Sequence, residues 1–229
     1  MSHTRSNSAT APVTRREADL ITAVIGLAVL LVGMIVVRDS SVPGVEESIF
    51  RAINDLPGFI YPVLWPFQQL GALLVGPAVA LVAALFRRFR LALAALAATA
   101  CKLILERVVK EMVTRERPAT SIDSDVELRG DVSTAGESFV SGHAVLVTAL
   151  AGIIAPYLPG RWRIVPWVIV ALVMLTRVYV GAHNPLDVIC GAGLGLVIAG
   201  VLNLAFGVPA PERDPQRPSE PPLPIQRPG

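Results

Sequence analysis

Charge is scarce in this 229-residue chain: Asp, Glu, Lys and Arg make up 17% and the formal net charge is +2, so no face is basic enough to bind nucleic acid. Cysteine is scarcer still. Cys101 and Cys190 fall inside apolar stretches, where a thiol packs as a small hydrophobe, so neither a disulfide nor a cysteine-based metal site is expected. Of the three histidines, His3 lies in a Ser/Thr-rich N-terminus with too little apolar content to fold, which leaves His143 and His183 for chemistry. What the chain has in plenty is hydrocarbon. A hydrophobic share of 53% and a mean hydropathy of +0.59 are too apolar for a soluble domain, and the expected solvent is the bilayer.

Apolar stretches long enough to cross roughly 30 Å of hydrocarbon lie at 18–37, 61–86, 89–109, 139–157, 164–181 and 186–206, giving an all-α bundle of six transmembrane helices. The first has no small-residue cleavage pattern behind it and reads as a retained helix, not a signal peptide. The short connections Phe86-Arg87-Arg88-Phe89-Arg90 and Arg161-Trp162-Arg163 share a side with Arg15-Arg16, so the positive-inside rule puts both termini in the cytoplasm. The longer segments 38–60 and 110–138 are then extracytoplasmic, on a plasma membrane of bacterial type. Residues 1–17 read as a disordered cytoplasmic N-terminus and 18–207 as the membrane domain; Val208 to Gly229 holds eight of the 19 prolines and reads as a disordered or polyproline tail.

The second half of the third span is unusual in carrying Lys102, Glu106, Arg107, Lys110, Glu111 and Arg115. Charges there are costly against lipid, so they are expected to face the bundle or water. Most are absorbed by a ladder of i,i+4 pairs: Lys102/Glu106, Glu106/Lys110 and Glu111/Arg115.

Beyond that ladder, Lys110, Thr114 and Arg117 stand at i, i+4 and i+7, on one face of any helix that continues through them, and Pro118 disfavours helix at the residue before it. Ser138-Phe139-Val140-Ser141-Gly142-His143 opens the fourth span, where unpaired helix N–H groups make a ready anion site. Thr176-Arg177 closes the fifth span and His183-Asn184-Pro185-Leu186-Asp187 opens the sixth, with Asn184 as N-cap and Pro185 at the first helical position. Asp187 can there fix the tautomer of His183 and stabilise its cation, which a nucleophilic or proton-transferring histidine needs. The topology puts Lys110, Arg117, His143, Arg177 and His183 on the same membrane face. Three cations, a helix N-terminus and two histidines suit a phosphoryl group better than a neutral substrate. Which histidine attacks is not decided by these residues.

Taken in order, Lys110-x6-Arg117-Pro118, Ser141-Gly142-His143 and Arg177-x5-His183-x3-Asp187 resemble the three-part signature of the type 2 phosphatidic acid phosphatase (PAP2) superfamily. The motifs cover residues 110–187, and the six-helix pattern extends the resemblance over roughly 18–206. It implies that His183 is the nucleophile forming a phospho-histidine, Asp187 its orienting partner, and His143 the acid that protonates the leaving oxygen. It implies too that Lys110, Arg117 and Arg177, with Ser141 and the Gly142 N–H, cradle the phosphate. No cofactor is implied. The family commonly has Pro where Val140 stands and Ser where Thr176 stands; Thr keeps the hydroxyl, whereas Val140 removes a rigid residue ahead of Ser141.

Other readings are weaker. Asp123-Ser124-Asp125-Val126-Glu127 looks like the start of a calcium loop, but Leu128 and Thr134 stand where Gly and Glu are required, so a solvated acidic loop is expected. Gly191, Gly195 and Gly200 could mark a homodimer face, although packing within the chain uses the same spacing. Arg115 and Glu137 flank the motifs and stay outside the core site. A serine hydrolase built on Ser141, His143 and Asp187 lacks a G-x-S-x-G elbow and leaves three cations unexplained. A non-catalytic protein that binds or transports a lipid phosphate is the remaining alternative. As an enzyme, the chain is expected to act on a lipid held in the bilayer: a polyprenyl diphosphate, phosphatidic acid or phosphatidylglycerol phosphate.

Overall fold

The computed structural model describes residues 13–39, 41–122 and 125–210, and these are mostly helical. The helices are α1 (Glu17–Val36), α2 (Gly44–Asn54), α3 (Tyr61–Gln69), α4 (Val75–Leu85), α5 (Phe89–Met112), the short α6 (Pro118–Ser121), α7 (Gly142–Ile154), α8 (Val165–Tyr179) and α9 (Pro185–Phe206). By length and hydropathy, three described segments suffice to cross a membrane: α1, Gly160–Tyr179, which contains α8, and α9. Two shorter apolar helical segments, Val75–Leu85 and Gly142–Tyr157, accompany them. The 24 residues of α5 are long enough but carry the charge ladder in their second half.

Helix α9 is the axis of the bundle, packed between α1 and α7, with α5 against both α7 and α9. Small residues make these approaches possible. A methyl on Gly200 would lie 2.4 Å from the Asp19 carbonyl on α1, and one on Gly195 would lie 2.6 Å from the Val145 carbonyl on α7. A methyl on Gly191 would lie 2.8 Å from the Ser141 carbonyl, so the glycine spacing on α9 serves helix packing inside the chain. The main core follows the same seams: Leu30 of α1, Ala95 and Ala98 of α5, Val145, Leu146 and Ala149 of α7, and Leu194 and Ile198 of α9.

The structure corrects several expectations. The stretch 61–86 is not one helix: α3 ends at Gln69 and α4 starts at Val75. Pro66 lies inside α3, and the backbone turns through Leu70–Leu74 so that Gly71 can touch His143. The segment 38–60 contains α2, whose buried face is Glu46, Phe50 and Asn54. Helix α5 ends at Met112, with Val113 extended at φ −131°, so Lys110, Thr114 and Arg117 do not share a continuous helical face. For the same reason Glu111 pairs with Arg107 at 3.1 Å instead of with Arg115. The other two rungs are present, Lys102–Glu106 at 2.7 Å and Lys110–Glu106 at 3.1 Å.

The tails are ordered at their inner edges. Val13–Thr14 and Val208–Pro209 form a two-residue antiparallel pair, β1 and β2. The rest of both tails, with His3 and most of the prolines of the C-terminal stretch, lies outside the described residues, as do Asp123 and Ser124.

Candidate active site

The site is assembled at the end of the bundle where α5 stops, α7 starts and α8 turns into α9. Gly181 makes the last of these turns possible. Its φ of +75° suits glycine, and a methyl on it would lie 2.8 Å from the Glu127 carbonyl. The chain then runs through Ala182 and His183 to Asn184, the N-cap of α9, with Pro185 following. Asp187 N–H donates to the Asn184 carbonyl at 3.0 Å, and Asn184 N–H donates to Asp187 Oδ2 at 2.8 Å. This local reciprocity aims the Asp187 carboxylate back at His183.

His183 is 3% exposed and Asp187 is 0% exposed. The His183 Nδ1 to Asp187 Oδ2 distance is 3.7 Å, outside hydrogen-bonding range. Between them stands the Ser138 hydroxyl, 3.4 Å from His183 Nδ1 and donating to Asp187 Oδ2 through a short bond. The sequence reading missed Ser138 as a site residue, although it opens the stretch that holds Ser141 and His143. Burial pushes the His183 imidazole down to about 4, Asp187 opposes this, and the charges of Arg177 and Arg117 add to it. His183 is therefore neutral near pH 7. With Nδ1 turned toward Ser138 and Asp187, Nε2 is the nitrogen left for a reacting partner.

The expected cations reach the same place by different routes. Arg117 donates from NH1 to the Ala182 carbonyl at 2.9 Å and from Nε to the Ala135 carbonyl at 3.0 Å, joining the approach of α6 to the His183 turn. Lys110 donates to the Glu137 carbonyl at 3.2 Å, beside Ser138. Arg177, in the last turn of α8, is buried, and its carbonyl accepts the Ala182 N–H at 3.1 Å. Among the described residues, Arg177 Nε and the Ser141 hydroxyl are buried polar atoms with no protein partner. Ser141 is the N-cap of α7, its backbone N–H donating to the Asp187 carbonyl at 3.0 Å, and Gly142 begins the helix. A methyl on Gly142 would meet the Glu106 carboxylate at 2.5 Å, so α5 presses closely on this helix start. The Phe139–Val140 peptide that leads into it is cis.

His143 follows in the first turn of α7, with Gly71 so close that a methyl there would lie 2.7 Å from the imidazole. The charge of Arg177 acts on it. All eight residues singled out in the sequence thus belong to, or border on, one end of the bundle.

Two residues set aside earlier turn out to be integral. Arg115 is 0% exposed, donating to Asp187 Oδ1 at 2.8 Å and to Glu46 Oε2 at 2.5 Å. Its backbone N–H donates to Glu137 Oε2 at 2.6 Å. Burial works against the Arg115 charge, but Glu46 and Asp187 more than offset it and raise its pKa. No group of three His, Cys, Asp or Glu among the described residues is placed to hold a metal ion.

The chain matches the PAP2 superfamily over residues 89–208. Among curated protein sequences there is no match. Two solved structures are similar in fold. The crystal structure of LpxE from Aquifex aeolicus is 24% identical with a TM-score of 0.62, covering 69% of this chain and 93% of that one. The first transmembrane PAP2-type phosphatidylglycerolphosphate phosphatase from Bacillus subtilis is 24% identical with a TM-score of 0.63, covering 78% of this chain and 94% of that one. With the match spanning the end of the bundle just described, the chain belongs to the PAP2 superfamily.

Proposed function

We propose that the chain is an integral membrane phosphatase that removes phosphate from a lipid phosphate or diphosphate, with His183 as nucleophile. The observation that carries this reading is that two cations, Arg117 and Arg177, act on one buried imidazole, with the N-terminus of α7 beside it and Lys110 bonded to the Glu137 carbonyl next to Ser138. Cations and helix N–H groups neutralise phosphoryl oxygens, and a neutral imidazole can attack phosphorus.

His183 Nε2 forms the bond to phosphorus in line with the scissile P–O bond, which breaks as His143 gives its proton to the leaving oxygen. Water then attacks the phospho-histidine: a new P–O bond forms, the P–N bond breaks, and His143 takes back a proton. Lys110, Arg117, Arg177, Ser141 and the Gly142 N–H hold the non-bridging oxygens throughout. Ser138 and Asp187 hold Nδ1 and stabilise the positive imidazole ring as it forms.

In this reading α1, the α3–α4 pair, α5, α7, α8 and α9 make the six crossings, with termini cytoplasmic and the site on the extracytoplasmic side. A lipid substrate keeps its tail in the bilayer while its head group reaches His183. The candidate substrates are a polyprenyl diphosphate, phosphatidic acid and phosphatidylglycerol phosphate. The similar fold of a phosphatidylglycerolphosphate phosphatase supports including the last.

The test is a phosphate-release panel on purified protein with those lipids and polyprenyl phosphate, with and without EDTA. The expected result is turnover of at least one lipid that survives EDTA and disappears in His183→Ala. Tight binding without release from any lipid would instead favour a non-catalytic lipid-phosphate carrier, and wild-type release by His183→Ala would exclude the nucleophile.

A further inference from the structure

We propose that Glu46 is a positioning residue for the reaction, acting through Arg115 on Asp187 and so on His183. The inference rests on the reading of His183 as nucleophile. Glu46 lies on α2, outside the residues matched by the family. Its side chain is 4% exposed and both oxygens are engaged. Oε1 accepts from the Leu186 N–H at 2.8 Å and from Arg115 NH1 at 3.2 Å, and Oε2 accepts from Arg115 NH2 at 2.5 Å. Arg115 NH1 also donates to Asp187 Oδ1 at 2.8 Å, leaving Oδ2 to Ser138, Asn184 N–H and the His183 side.

Charge arithmetic gives this chain of contacts its purpose. An Arg115 paired with Asp187 alone would neutralise the carboxylate that has to stabilise a positive His183 ring. A second carboxylate on the same guanidinium divides its pull, and the triad of Glu46, Arg115 and Asp187 carries a net negative charge next to the imidazole. That charge matters because the other charged neighbours of His183, Arg177 and Arg117, oppose a positive ring. Glu46 also holds the first turn of α9 directly, through the Leu186 N–H, so the register of His183 and Asp187 depends on α2.

A merely structural Glu46 would tie α2 to the bundle and nothing more. Glu46→Gln separates the two roles, because the amide keeps the size and an acceptor for Leu186 while losing the charge. The variant, wild type and His183→Ala are assayed as full-length protein in detergent, on the lipid of the panel that wild type cleaves fastest. Glu46→Gln is expected to lower kcat about tenfold, an order below the ~100-fold of a 1 Å misplacement, with KM within about twofold and the acid limb of kcat moved to lower pH. Wild-type kcat with an unmoved limb overturns the proposal, even if thermal stability falls. Should Glu46→Gln yield no folded protein, Glu46→Asp is measured instead. It keeps the charge but is too short to hold both Leu186 and Arg115, so a several-fold lower kcat at unchanged KM supports the proposal and wild-type kcat overturns it. If His183→Ala is active, the nucleophile reading fails and takes the inference with it; if it is inactive while Glu46→Gln equals wild type, the inference fails alone.

Discussion

The two ends of the bundle are held by different means. At the end that carries β1 and β2, apolar packing is joined by polar ties around the ends of α1 and α9: Asp19 accepts from Arg16 at 2.6 Å and from Asn203 at 3.0 Å, Asn203 also donates to the Gly152 carbonyl at 3.2 Å, and Arg15 donates to the Leu204 carbonyl at 2.7 Å. At the other end two buried polar networks meet. One is Glu46–Arg115–Asp187–Ser138–His183. In the other, Arg129 and Asn54 bond the Tyr179 carbonyl at 2.8 Å and 3.0 Å, with the Arg129 guanidinium 4.2 Å from the Tyr179 ring centroid. Helix packing alone fixes axes to within a side chain's slack, which suffices where nothing reacts. The proposed attack of an imidazole on phosphorus needs directional bonds, and buried charges supply direction at the cost of desolvation.

The difference between the ends is expected to show most strongly at Arg115. Arg115→Ala strands Glu46 and Asp187 as buried carboxylates, and removing one partner of such a pair costs about 3–5 kcal/mol. The expected outcome is a protein that melts far below wild type in detergent and releases no lipid phosphate. Arg107→Ala removes an arginine from the same stretch of chain, but its pair with Glu111 is exposed, at 82% and 66%. It should cost well under about 1 kcal/mol and leave activity unchanged.

Next comes the turn before His183. Gly181 and Gly136 both have positive φ, at +75° and +83°, but a methyl at Gly181 meets the Glu127 carbonyl whereas Gly136 has nothing within 4 Å. Gly136→Ala should cost only the left-handed strain of about 1–2 kcal/mol. Gly181→Ala must also push His183 out of register, and a misplacement of about 1 Å is worth roughly 100-fold in kcat. Measuring kcat for both variants against wild type separates strain from displacement.

The contrast between the ends also explains what the sequence made legible. Apolar runs announced α1, α8 and α9, because crossing a bilayer demands length and hydropathy that nothing else imitates. The signature residues stood out by their resemblance to the PAP2 pattern, and the family match over 89–208 covers them, although the shared helical face expected for Lys110, Thr114 and Arg117 is broken at Val113. Helix α2 was not, since its buried face is Glu46, Phe50 and Asn54, and a buried charge looks like a solvated one until its partner, 69 residues away, is known. Arg115 hid for the same reason behind a more ordinary i,i+4 partner. The break in 61–86 was hidden by its own hydropathy: a kinked apolar segment and a straight one have the same composition.

Acid acts on the two ends unequally, because His183 is buried at the site end. Burial holds His183 near 4, well below its ordinary 6.5, so its neutral form persists as the medium is acidified. The acid limb of kcat/KM assigned to His183 should therefore lie closer to pH 4 than to 6.5, with activity lost as pH falls through the folded value. Stability has the same sign: between 6.5 and about 4 the unfolded chain takes up the proton first, so the fold weakens as pH falls through that window. A pH–rate profile from 4 to 8, with melting curves at each point, checks both.

At the far end the expected effect is on stability alone. Asn203→Ala removes a donor to Asp19 and another to the Gly152 carbonyl, at 3.0 Å and 3.2 Å, and leaves the Arg16 bonds to Asp19 in place. Asp19 keeps a charged partner, so the loss is that of one hydrogen bond to a carboxylate and one to a backbone carbonyl, about 2–4 kcal/mol, and shows as a lower melting temperature. Because α9 is held to α1 and α7 along its length by close glycine contacts, slackening one end should not travel to Asp187. kcat and KM should both equal wild type when assayed below the melting transition. A kcat that falls along with stability would mean that the bundle transmits strain from one end to the other, and the two ends could then no longer be treated as separately built.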